Sequence, residues 1–152
     1  MKKLYLFLIL SFYCSPCLAE DCKWWFNRFG WKNFTVLEVE NCLKTGSSVV
    51  SDTPGGNTPL HIAAETINDP EIILRLLRAG AEINATNKDG WTPLHSAARF
   101  NANPSILFVM IDNGADIKAK TNIGKTALFW MEKNLLLRET DGYLKLLNLN
   151  YD

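Results

Sequence analysis

The chain has 152 residues, 47% hydrophobic and 21% charged, with 16 basic and 16 acidic side chains. Those proportions exclude wholesale disorder, and the balanced charge removes the basic excess that marks a nucleic-acid binder. Only two histidines are present, His61 and His95, too few for a multi-histidine metal site.

At the N-terminus, Lys2 and Lys3 precede an apolar run from Leu4 to Tyr13, followed by Ser15-Pro16-Cys17-Leu18-Ala19. A charged start, a short apolar stretch and a small-residue exit form the layout of a secretory signal peptide over residues 1–19. The alternative, a membrane-spanning helix, needs roughly 20 apolar residues, and this run is too short. Cys14, Cys17 and Cys22 lack the context of a lipoprotein anchor. A soluble product is expected, secreted or periplasmic, with the membrane met only during export. Cleavage after Ala19 removes Lys2 and Lys3 and no acid, so residues 20–152 carry 14 bases against 16 acids, a formal charge of about −2. The same cut discards Cys14 and Cys17. Cys22 and Cys42 then remain in an oxidising compartment, as a disulfide or as two unrelated buried thiols.

Downstream, the chain repeats itself. Gly56-Asn57-Thr58-Pro59-Leu60-His61-Ile62-Ala63-Ala64 returns as Gly90-Trp91-Thr92-Pro93-Leu94-His95-Ser96-Ala97-Ala98, and in weakened form as Gly124-Lys125-Thr126-Ala127-Leu128-Phe129. Thr58, Thr92 and Thr126 are 34 residues apart, and Gly46, Gly80 and Gly114 each stand 12 residues before a Thr. Two markers in phase over three copies define a degenerate first repeat 22–55, repeats 56–89 and 90–123, and a capping repeat 124–152. Thr58 and Thr92 fall where an N-cap oxygen is wanted, with Pro59 and Pro93 at the first helical position. Leu60 and Leu94, with the paired alanines that follow them, face the neighbouring helices. Second helices over 72–77 and 106–111 carry apolar residues at helical spacing and end at Gly80 and Gly114. Pro70 and Pro104 open them.

These residues resemble the ankyrin repeat, with its Gly-x-Thr-Pro-Leu-His-x-Ala-Ala signature and closing Gly-Ala-Asp-x-Asn. The usual period is about 33, and the extra residue here falls in the inter-helix loops 65–70 and 99–104. The layout is also similar to short secreted bacterial ankyrin proteins. The resemblance implies an all-α solenoid of about four helix-turn-helix units with hairpin loops and divergent terminal repeats. It implies no catalytic residue, cofactor or metal. His61 and His95 are then helix-start hydrogen-bonding groups, too far apart on stacked helices to share a zinc ion.

Subtracting 34 from Gly56 and Leu76 gives Cys22 and Cys42. Trp24-Trp25-Phe26-Asn27 then fills the first-helix slot of the degenerate repeat, and Thr35 to Leu43 its second helix. An antiparallel pair in that register brings Cys22 beside Cys42, and a loop of about 20 residues so closed contributes about 3 kcal/mol. At the other end, Phe129 replaces the histidine, and Tyr143-Leu144-Lys145-Leu146-Leu147 is expected as the closing helix.

Repeat architectures offer hairpin tips and a concave helix face. The residues there that the repeat does not demand are Asn57, Glu65, Thr66, Trp91, Arg99, Phe100, Lys125, Trp130 and Lys133. Trp and Arg are common interface anchors. Trp91 reads equally as an anchor or as packing over its neighbour's hairpin, and Phe100 is expected to plug the longer inter-helix loop. No nucleophile elbow or phosphate loop is present in residues 20–152. The expected function is a monomeric, non-enzymatic module that binds a protein partner and no nucleic acid. An inhibitor or immunity protein against a secreted or envelope enzyme, and a host-directed secreted factor, are the alternatives. A hydrolase is a more distant one.

Overall fold

The computed structural model describes residues 34–50, 52–141, 143–144 and 147–148. The six bounded helices among them are α1 (Val36–Lys44), α2 (Pro59–Thr66), α3 (Pro70–Arg78), α4 (Pro93–Phe100), α5 (Pro104–Asp112) and α6 (Ala127–Lys133), and no described residue is in a strand. The leader expected over residues 1–19, Cys22 and the first helix expected at 24–27 lie outside the described residues. At the C-terminal end, the described residues 141, 143, 144, 147 and 148 are helical, where a closing helix is expected.

Local chemistry sets the helix starts. Thr35 and Glu38 form a reciprocal capping box ahead of α1, with the Thr35 N–H donating to Glu38 Oε2 at 2.8 Å. Asp69 and Asn103 accept from the N–H groups of Glu71 and Ser105 at 2.9 Å, immediately before Pro70 and Pro104. Proline costs nothing there, because the first turn of a helix has no acceptor for its N–H.

The helices form two rows. First helices α2, α4 and α6 stack in sequence, and second helices α1, α3 and α5 stack behind them. Ala63, Ala64, Ala97 and Ala98 are fully buried and let the first helices approach closely. Between the rows lie Leu60, Ile72, Ile73, Leu76, Leu94, Ile106, Leu107 and Met110, each at most 1% exposed. Burying a side chain of this size contributes about 1.5–3 kcal/mol. Each repeat is too small to bury such a set alone, so stability depends on its neighbours.

The hairpin tips are joined from repeat to repeat. Lys88 N–H donates to the Gly55 carbonyl at 3.1 Å, and Asn122 N–H to the Asp89 carbonyl at 3.0 Å. Gly90 sits in this joint at φ +74°, and a Cβ there would lie 2.8 Å from the Asn122 backbone nitrogen. No other residue type fits without moving the next tip.

Candidate protein-binding surface

The motif histidines are wired at both ring nitrogens. His61 Nδ1 accepts from the Thr58 N–H at 3.2 Å, and His95 Nδ1 from the Thr92 N–H at 3.2 Å. The threonine hydroxyls reach the same nitrogens at 2.9 and 2.8 Å. A backbone N–H can only donate, so Nδ1 is bare and Nε2 carries the proton. His61 Nε2 donates to the Trp91 carbonyl at 2.9 Å, and His95 Nε2 to the Lys125 carbonyl at 3.1 Å. Each histidine thus caps its own helix and clamps the hairpin tip of the next repeat.

That clamp fixes Trp91 and Lys125. Asn87 gives its N–H to the Trp91 carbonyl at 2.9 Å and takes the Trp91 N–H on Oδ1, also at 2.9 Å. Thr121 holds Lys125 in the same way, through its N–H at 2.9 Å and its hydroxyl at 3.2 Å. Asn57 occupies the equivalent tip position one repeat earlier, where its Oδ1 accepts from Asn87 Nδ2 at 2.8 Å, a bond between tips. Burial is the main reason that both histidines titrate below their ordinary value. The Trp91 carbonyl opposes the shift for His61, and those of Lys125 and Ala119, with the Asp116 charge, oppose it for His95. Among the described residues no group of three or more His, Cys, Asp or Glu could hold a metal ion.

On this frame the aromatic side chains converge. The Trp91 ring lies 4.7 Å from that of Trp130 and 5.9 Å from Phe100, stacked on the latter at 20°. Trp130 meets Phe129 edge-on at 5.2 Å. Three cations lie over the cluster. Arg99 Cζ is 5.6 Å from the Phe100 centroid and 5.8 Å from that of Trp130. Lys125 Nζ is 4.3 Å, and Lys133 Nζ 5.6 Å, from Phe129. The Trp130 indole N–H is buried and has no hydrogen-bond partner among the described residues. Six sequence candidates (Trp91, Arg99, Phe100, Lys125, Trp130 and Lys133) therefore share one patch. Glu65 and Thr66 are half-buried at the end of α2.

Phe100 departs from expectation. It is 49% exposed and lies on Trp91 instead of plugging the inter-helix loop. The plug is Asn101, 2% exposed, which donates to the Ala64 and Ile67 carbonyls at 2.9 and 2.7 Å. Asn134 repeats the device on Ala98 and Asn101 at 3.1 and 2.7 Å. Buried carbonyls at a helix end need a donor, and an amide supplies two where a ring supplies none. The signal in the sequence was an Asn after two first helices, 33 residues apart instead of 34, which masks the match. Phe129 was legible only as a lost histidine. Its role under Lys125 and Lys133 comes from the fold.

Residues 60–135, half of the chain, match the family described as ankyrin repeats (3 copies). The chain belongs to the ankyrin repeat family. Comparison with curated proteins gives no match. Ankyrin repeats are generally protein-binding scaffolds, and the patch occupies the hairpin-tip and first-helix side of this one.

Proposed function

We propose that this ankyrin chain is an exported, non-enzymatic module that binds one protein partner in the periplasm or outside the cell. The contact surface runs over the hairpin tips and first helices of the last two repeats. The observation that carries this reading is the half-exposed aromatic cluster of Trp91, Phe100 and Trp130 beneath Arg99, on tips fixed by the repeat's own hydrogen bonds. Aromatic and arginine side chains in one rigid patch are the typical anchors of protein interfaces, and rigidity lowers the entropy lost on binding. Export and a Cys22–Cys42 staple rest on the sequence layout of residues 1–42.

The test is affinity capture from envelope extract with the full chain, secreted with its own leader, beside a Trp91→Ala/Arg99→Ala form of matched helicity. One protein held by the first bait and lost from the second is expected. Equal retention by both would move the binding surface elsewhere. Intact mass of the secreted product checks removal of residues 1–19. Alkylation before and after reduction checks whether Cys22 and Cys42 are paired.

A further inference from the structure

Resting on that binding surface, we propose that its occupant is an acidic polypeptide segment carrying an apolar side chain. The argument starts from how the cations are used. Among the described residues, ion pairs are made by Arg75, Arg78 and Arg138, and none by Arg99, Lys125 or Lys133. Those three instead rest 4.3–5.8 Å from the centroids of Phe100, Trp130 and Phe129. A cation over a ring keeps its N–H donors directed elsewhere, and no side-chain hydrogen bond from these three is formed to a described residue. Three positive charges are therefore held on an apolar floor without an ion pair to a described carboxylate.

An occupant must complete both halves of this surface. Carboxylates would pair with Arg99, Lys125 and Lys133, and an apolar side chain would cover Phe100, which is 49% exposed beside Trp91. A polypeptide with a few acids fits better than a nucleic acid. Three cations are a small set for a phosphate backbone, and the chain as a whole balances 16 bases with 16 acids. The local surface is positive while the whole molecule is not, which favours a short acidic segment over a long polyanion.

A random peptide library displayed on phage, selected on the immobilised full chain, tests this directly. Enriched peptides are expected to combine Asp or Glu with Leu, Phe or Trp. Their affinity is expected to fall as salt rises, and to drop about tenfold or more for Lys125→Glu/Lys133→Glu. Lys133 is exposed and Lys125 half-buried, and a circular dichroism melt matching that of the unaltered chain controls for folding. Peptides lost on Trp91→Ala but basic or uncharged would overturn the acidic occupant and leave the surface standing. Acidic peptides held equally by the charge-reversed and Trp91→Ala forms would overturn the surface as well. Displacement of the peptides by a single-stranded oligonucleotide at similar concentration, or failure to enrich any peptide, would also overturn the acidic-segment proposal.

Discussion

Arg75 and Arg99 show the same residue type put to two uses in adjacent repeats. On the second-helix row, Arg75 bridges Glu40 of α1 and Glu71 of α3, both at 2.7 Å, and Arg78 joins Glu71 at 3.1 Å. Its charge is consumed in holding neighbouring repeats together. On the first-helix row, Arg99, Lys125 and Lys133 lie on aromatic rings and form no ion pair with a described carboxylate. One face is electrostatically closed and the other is left open. The difference teaches where the molecule is finished and where it awaits something else.

Because histidines hold the open face in place, the largest expected effect comes from below the patch. His95→Ala removes bonds at both ring nitrogens in a fully buried position and leaves the Lys125 carbonyl short of its His95 donor. A loss of about 3 kcal/mol in urea unfolding is expected. A loss under about 1 kcal/mol would mean that the tip holds without its clamp.

Next come Trp91→Ala and Arg75→Ala, which compare the two faces directly. Trp91 lies on Trp130 and Phe100, so its truncation is expected to cost about 2 kcal/mol with little salt dependence. Arg75 is 37% exposed in its side chain, so its pairs are worth under about 1 kcal/mol and weaken in salt. Equal losses would erase the contrast between the faces.

The histidines also predict a pH response. Both are held below their ordinary titration range, chiefly by burial, so the unfolded chain binds more protons as acid is added. Their contribution is fully present above about pH 6.5 and declines as the pH falls through the lowered folded values. Melting temperatures measured from neutral pH downward should drop on that side. The decline should flatten in a His61→Gln/His95→Gln form, and an unchanged slope would assign the response to the carboxylates.

The smallest expected effect is on the open face itself. Lys125→Ala and Lys133→Ala should each change stability by no more than about 0.5 kcal/mol, since both charges lack a described ionic partner. Their cost should appear in peptide affinity alone. A larger loss of stability would make the cations structural.

The six described helices and the 34-residue step were legible in the sequence, while the Asp69 and Asn103 caps were not expected. Thr-Pro starts, Gly80 and Gly114 ends, and apolar spacing are local rules that act within a few residues. The 34-residue step then says which elements stack, because identical units bury identical faces. Trp91, Arg99 and Lys125 were visible as residues that the repeat does not require. What Phe100 and Asn101 do was not visible, since two adjacent residues at a helix end exchange roles according to which one points inward. The helix termination of α4 decides that, and it places the amide under the Ala64 carbonyl and the ring on Trp91.

By itself, then, the sequence determined an ankyrin stack and its order, because capping, periodicity and small-residue packing are each written within a single repeat. Only the tertiary structure decided that Trp91 and Lys125 are clamped by histidines 30 residues away, and that three cations lie on rings while Arg75 lies on carboxylates. Those choices depend on distances between repeats, which a pattern within one repeat does not encode.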